Sequence, residues 1–192
     1  MIAILKYNAG NTQSVVNAVT RLGYNCVVTN DVNEIVNADK VIFPGVGEAG
    51  SAMAHLKANG LDTIIKSLEQ PVLGICLGLQ LMCRFSEEGN TNGLGIFNAE
   101  VKKFPPQDIV PHMGWNSIKA DGLDLFYNIN TDDNFYFVHS YYAEISKYAV
   151  AKCNYILPFS AALKKDNFYG VQFHPEKSGS AGEQLLKNFL EL

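Results

Sequence analysis

The sequence predicts an α/β fold, with a mostly parallel central sheet flanked by helices and antiparallel strands in the C-terminal half. Two observations predict it. Up to Ile75, short apolar runs alternate with helical patterns across short connections, as in β-α-β units whose sheet is covered on both faces. Beyond Gly95, runs of aromatic and β-branched residues separated by short turns suit antiparallel pairing.

In chain order, Ile2 to Tyr7 reads as the first strand, and Asn8-Ala9-Gly10-Asn11 as the turn after it. Asn11 is placed to cap a helix with Val15, Val16, Val19 and Leu22 on one face, stopped by Gly23. Cys26 to Val28 is the second strand. Asp31 caps a short helix reaching Ala38, and Val41 to Phe43 is the third strand. That strand runs into Pro44-Gly45-Val46-Gly47-Glu48. In open α/β sheets ligands gather beyond the carboxyl ends of strands, and this loop leaves from such an end. Its glycines let backbone N–H groups approach a ligand oxygen closely, although a plain connecting turn has the same composition. Helical stretches follow at Glu48–Ala58 and Leu61–Leu68.

Val72 to Ile75 is a short apolar run of the buried-strand type, after which Leu77, Leu81 and Phe85 recur at helical spacing. This predicts one helix running through Phe85 and carrying Cys83. Between strand and helix sits Gly74-x-Cys76-x-Gly78, the cysteine form of the G-x-S-x-G nucleophile elbow. The turn is sharp, so the nucleophile takes a strained backbone conformation and side chains at the glycine positions would collide with strand and helix. The sulfur would then stand at a helix N-terminus, where the helix dipole favours thiolate. A core cysteine followed by a capping glycine is the plainer alternative.

After a polar loop from Ser86 to Gly93, the pattern from Gly95 to Phe104 is extended, and Pro105-Pro106 is a stiff connector. The segment His112-Met113-Gly114-Trp115-Asn116 reads as a loop and holds the only tryptophan. Asn134–Ser140, Ala149–Tyr155, Ser160–Leu163 and Tyr169–Phe173 read as strands, and Gly182–Leu190 as a helix with Leu185, Leu186, Phe189 and Leu190 on one face. With no linker and no repeat, residues 1–192 read as a single domain.

Composition narrows the classes. Hydrophobic residues make up 47% and charged residues 18%, with net charge −4 and no basic run, which argues for a globular chain and against nucleic acid as a partner. No apolar segment approaches the roughly 18 residues of a membrane span, and the N-terminus is too short for a signal-peptide core. Cys26, Cys76, Cys83 and Cys153 are scattered. That pattern argues for a reducing, cytoplasmic setting and against a disulfide frame or zinc site. No cofactor or metal is expected.

A nucleophilic cysteine needs a base, and the base needs something to orient it. His55 falls in a surface helix. His174 follows Val171-Gln172-Phe173 at the end of an apolar strand, with Glu176 two residues on across Pro175. In an extended chain residues i and i+2 point the same way, which would bring the carboxylate beside the ring.

Together Pro44-Gly45-Val46-Gly47, Gly74-Ile75-Cys76-Leu77-Gly78-Leu79-Gln80 and Gly170-Val171-Gln172-Phe173-His174-Pro175-Glu176 resemble, in order and over essentially the whole chain, the motifs of class I (triad-type) glutamine amidotransferases. The resemblance implies that fold, with Cys76 as nucleophile, His174 as general base and acid, and Glu176 as the orienting carboxylate. It implies an oxyanion hole from the N–H of Leu77 and of Val46 or Gly47. It also implies contacts to L-glutamine from Gly45, Gly47, Gln80, Glu88 and the backbone of Ser140 and Tyr141.

Within the family, Tyr7-Asn8-Ala9-Gly10-Asn11, Pro111-His112-Met113-Gly114-Trp115-Asn116, His139-Ser140-Tyr141-Tyr142 and Glu176-Lys177-Ser178 resemble the glutaminase branch serving imidazole glycerol phosphate synthases of histidine biosynthesis. Asn8-Ala9 departs mildly from that branch, in a docking loop. The resemblance implies, as partner, a (β/α)8-barrel cyclase subunit that receives ammonia through a channel. Asn11, Trp115 and Lys177 are the residues expected at that contact, with a core-filling role the alternative for Trp115. Other readings are a glutaminase of another pathway such as vitamin B6 synthesis, a cysteine hydrolase acting on γ-glutamyl substrates, and a non-catalytic module that kept the fold.

Overall fold

Residues 1–8, 12–120 and 124–192 are described in the structure, a computed structural model. Its first four strands, β1 (Ile2–Leu5), β2 (Cys26–Thr29), β3 (Lys40–Phe43) and β4 (Val72–Ile75), are parallel neighbours as the sequence predicts. Helices α1 (Thr12–Arg21), α2 (Val32–Val36), α3 (Ala49–Ala58) and α4 (Leu61–Ser67) connect them. Period-two alternation decides which helices each strand residue meets. Ile2 and Ile4 face a core shared with Val15 and Val19 of α1. Ala3 and Leu5 face the opposite core, with Met53 and Leu56 of α3 and Ile65 of α4. The Asp31 carboxylate caps α2 by accepting from the N–H groups of Asn33 (2.8 Å) and Glu34 (3.2 Å), and Glu48 caps α3 in the same way. Asn11, expected to cap α1, lies outside the described residues.

The next segment differs from expectation. Helix α5 (Leu77–Met82) ends after six residues, and β5 (Cys83–Ser86) begins at once. Phe85 and Cys83 are therefore strand residues, despite the helical spacing. The Leu81 carbonyl accepts from the Leu94 N–H at 2.7 Å, and β5 pairs with β6 (Thr91–Asn92) and, in parallel, with β7 (Phe97–Lys103). Non-local pairing outweighs a weak local helical signal. The segment His112-Asn116 is also no loop: it forms β8 (His112–Ser117), followed by β9 (Lys119–Ala120), and pairs antiparallel with β10 (Asn134–His139). Strand β11 (Tyr141–Ala143) joins the β7-β5-β6 sheet.

Strands β12 (Ala149–Tyr155), β13 (Leu157–Lys165) and β14 (Phe168–Val171) follow, with β13 antiparallel to both of its neighbours. They complete an eight-stranded sheet of order β2-β1-β3-β4-β14-β13-β12-β9. The important neighbour is β14, parallel to β4, with Gly170 opposite Gly74 and Val171 opposite Ile75. The cysteine segment and the histidine segment thus leave the sheet side by side. Helix α6 (Gly179–Glu191) closes one face with Leu185, Leu186 and Phe189. Among the described residues no helix is long and apolar enough to cross a membrane.

Candidate active site

Cys76 sits between β4 and α5 with φ 53° and ψ −106°, the strained conformation an elbow requires of a non-glycine residue. Its N–H donates to the Val171 carbonyl at 2.8 Å and its carbonyl starts α5 by accepting from the Gln80 N–H at 3.2 Å. The two flanking glycines are demanded by close approach. A Cβ on Gly74 would fall 2.8 Å from the Gly78 carbonyl carbon and the Leu79 nitrogen, and one on Gly78 only 1.9 Å from the Phe43 carbonyl oxygen. The helix lies directly against β3 and β4, which holds the sulfur at the wall of a cavity of about 350 Å³, inside the range of small-molecule sites.

His174 and Glu176 meet as expected, with Nδ1 2.8 Å from Oε1 and both side chains almost wholly buried. The backbone reason differs from the extended i, i+2 argument. His174 is extended, but Pro175–Lys177 is a 3₁₀ turn, closed by the Lys177 N–H donating to the His174 carbonyl at 3.0 Å. The Ser178 hydroxyl donates to the same carbonyl at 2.6 Å, and the His174 N–H donates to the Tyr136 carbonyl at 2.9 Å. Burial opposes charge on the ring, but the Cys76 sulfur and the Glu176 carboxylate outweigh it and hold His174 up at about 10. Nε2 is buried with no hydrogen-bond partner among the described residues, and the sulfur, with the Glu176 carboxylate, is the group that raises the ring. Tyr7, partly buried and close to Cys76, is pushed far above the ordinary tyrosine range, by desolvation first and then by the sulfur. It cannot ionise there, and its hydroxyl donates to the Pro44 carbonyl at 2.7 Å.

Around the cavity the structure gathers Val46, Gly47, Leu77 and Gln80, and opposite them Glu88, Ser140 and Tyr141. Gly45 lies just behind this wall, and its carbonyl accepts from the Leu77 N–H at 3.3 Å. In this state that N–H is engaged by protein. Glu88 accepts from the Ala49 N–H at 2.9 Å, yet burial keeps its pKa above the usual carboxylate range. Trp115 and Lys177 line no part of this cavity. Trp115 is 58% exposed on β8, edge-to-face with Tyr136, so it fills no core. Lys177 is exposed in the turn after Glu176. Asn11 lies outside the described residues. Half-exposed His55 sits on α3, away from the cavity.

Sequence reasoning missed a polar group beside the sulfur. Gln172 is fully buried with Nε2 3.7 Å from Cys76 Sγ. His112 and His139 form a buried pair with Nδ1 of the first 3.0 Å from Nε2 of the second. The available signal was a glutamine inside the apolar run Val171-Gln172-Phe173 and a histidine, His139, in a strand that otherwise reads as aromatic; His112 lay in a segment that reads as a loop.

An elbow cysteine facing a buried histidine–glutamate pair at the ends of adjacent parallel strands is suited to acyl transfer through a thioester. The chain belongs to the class-I glutamine amidotransferase family, whose sequence model matches residues 3–192. It is 60% identical over 194 residues to a Bacteroides fragilis protein named imidazole glycerol phosphate synthase subunit HisH, covering 100% of this chain and 99% of that one. Proteins of the same name from Bacteroides thetaiotaomicron and Yersinia pseudotuberculosis are 57% and 50% identical over the same shares. Among solved structures, a putative GMP synthase protein from Thermoplasma acidophilum superposes with TM-score 0.77 at 19% identity, covering 100% of this chain and 92% of that one. PurLQS from Thermotoga maritima superposes with TM-score 0.73 at 14% identity, covering 99% and 97%. At such identities these structures speak for the fold alone.

Proposed function

We propose that this chain is the glutaminase subunit of an imidazole glycerol phosphate synthase of histidine biosynthesis, one amidotransferase domain over residues 1–192. It hydrolyses L-glutamine to L-glutamate and passes the ammonia to a (β/α)8-barrel cyclase subunit. The observation that carries the chemistry is Cys76 at the cavity wall, interacting with a His174 that Glu176 holds at 2.8 Å. The full-length relatives named as synthase subunits support the pathway.

In this reading the Cys76 thiolate attacks the side-chain carbonyl of glutamine, and protonated His174 gives its proton to the departing ammonia. Water, deprotonated by His174, then cleaves the thioester. Glu176 keeps the imidazole in the required tautomer and stabilises its charge. Gly47, Gln80, Glu88, Ser140 and Tyr141 surround the bound glutamine, with Gly45 behind them. Each oxyanion is met by the N–H of Leu77 and that of Val46 or Gly47. For this the Gly45 carbonyl must release the Leu77 N–H, and one missing donor of this kind costs about 10²–10³ in turnover.

Ammonia released into neutral water becomes ammonium, a poor nucleophile, so a chain that idles until docked wastes least. Trp115 on the outer face of β8, Lys177 and Asn11 form the docking residues. The test is glutaminase turnover of the purified chain alone, with the cyclase, and with the cyclase and its ligand. Turnover should rise at each step. Trp115→Ala and Lys177→Ala should weaken docking or activation while leaving alkylation of Cys76 intact. Full activity alone, unaffected by the cyclase, rejects the pathway reading and leaves the chemistry standing.

A further inference from the structure

The fully buried Gln172 lies between β14 and His174. Its carboxamide cannot be turned over without breaking a chain of contacts that ends on a backbone atom. The Tyr141 carbonyl can only accept, so Gln80 presents Nε2 to it at 2.8 Å. The same Nε2 is 3.1 Å from Gln172 Oε1, which leaves Gln172 Nε2 as the group facing Cys76 Sγ at 3.7 Å. The Tyr141 carbonyl is itself held by His139 Nδ1 at 2.7 Å. With that proton on Nδ1, His139 Nε2 accepts from His112 Nδ1 at 3.0 Å. His112 Nε2 in turn lies 3.4 Å from the Asn116 amide nitrogen, which donates to it, so this arrangement keeps both rings neutral, which their burial favours. On the other side of the sulfur, the Val138 carbonyl at 4.0 Å can accept from a thiol but offers nothing to a thiolate.

Resting on the reading of Cys76 as nucleophile, we propose that Gln172 is a catalytic residue. Its side-chain N–H, aimed by Gln80 and the Tyr141 carbonyl, is a second donor to the Cys76 thiolate beside His174. The sulfur carries charge twice per turnover, before attack and on expulsion from the thioester. Gln172 keeps one donor on it in both states, whichever protonation state His174 has reached. A hydrogen bond to an ionised acceptor is roughly twice as strong as a neutral one, and a fully buried donor needs no rearrangement to supply it.

The test is the pH dependence of iodoacetamide alkylation of Cys76, which needs no glutamine turnover and so separates this inference from the substrate reading. Cys76→Ala identifies the labelled site. Gln172→Glu keeps the acceptor for Gln80 but replaces the donor with a carboxylate, and Gln172→Met removes both. The ionisable groups facing the sulfur or its cavity, His174, Tyr7, Glu88 and His139, are unchanged in both variants. The alkylation midpoint should rise by about one pH unit in Gln172→Met, the lower end for a hydrogen bond to a charged group, and by more in Gln172→Glu. Glutamine turnover in the cyclase complex should fall about tenfold in kcat, with KM changed much less. Folded variants with the wild-type midpoint would overturn the proposal and leave Gln172 as a core amide that merely satisfies Gln80. Should neither variant fold, the wild-type chain decides: the ¹⁵N side-chain amide of Gln172 should titrate with Cys76 and lose that titration in Cys76→Ala. An amide insensitive to the sulfur overturns the proposal equally.

Discussion

Gly78→Ala sets two physical arguments against each other. Gly78 is inside α5, and by helix propensity alone alanine should stabilise that position by about 1 kcal/mol. Packing gives the opposite sign. The added Cβ would stand 1.9 Å from the Phe43 carbonyl oxygen and 3.0 Å from its carbon, both backbone atoms of β3. Relief requires α5 to move off the sheet by about 1 Å or more, and such overpacking costs about 1–3 kcal/mol. The net expectation is a loss of up to about 2 kcal/mol, read as a fall of about 4–8 °C in Tm for a chain of this size. Cys76 is the residue from which α5 starts, so the sulfur moves with the helix, and a displacement of about 1 Å is enough to cost about 10² in turnover. Thermal melting by circular dichroism and glutamine hydrolysis in the cyclase complex measure the two effects. A Gly78→Ala protein that melts at or above the wild-type temperature and turns over normally would refute the claim that the elbow needs glycine for close approach.

Three further outcomes follow from the same geometry. His174 has its folded pKa raised from 6.5 to about 10, so its stabilising contribution is complete below about 6.5 and lost as pH rises through about 10. In Glu176→Gln the imidazole midpoint, followed by NMR, should drop by about one to two units, with activity lowered less than in His174→Ala; an unmoved midpoint would make Glu176 incidental. His139 and His112 are shifted the other way, down to about 3 and about 4 by burial. The unfolded chain therefore binds more protons, and stability present above about 6.5 is lost as pH falls toward 4. Denaturant midpoints between pH 5 and 6.5 should vary less steeply in His139→Gln than in wild type, and equal slopes count against a neutral buried pair. Cys83, wholly buried at the start of β5 and raised by burial far above the ordinary thiol range, should be replaceable by serine at a cost of about 1 kcal/mol with catalysis kept, whereas Cys76→Ser should abolish it. Loss of turnover in a folded Cys83→Ser protein would overturn the assignment of Cys76 as the nucleophile.

Much of this protein was determined locally, and those parts were legible in the sequence. The parallel half follows from apolar runs and helical faces in alternation, because period and burial are encoded within each segment. The elbow is legible because only glycine fits where α5 touches the Phe43 carbonyl. His174 and Glu176 are legible as a pair because two residues of separation keep them adjacent in almost any backbone, although a 3₁₀ turn and not an extended strand brings them together. Tertiary structure decided the remainder. Cys83–Ser86 left the helix for a strand because its partner, β7, is remote in sequence, and β8 became a strand only through pairing with β10. The alignment of Gly170 with Gly74 across β14 and β4 brings Cys76, Gln172 and His174 to one edge of the sheet. The direction of each buried carboxamide was decided last of all. It depends on which neighbouring atom can only accept, here the Tyr141 carbonyl, and that is a property of packed groups that no single stretch of sequence carries.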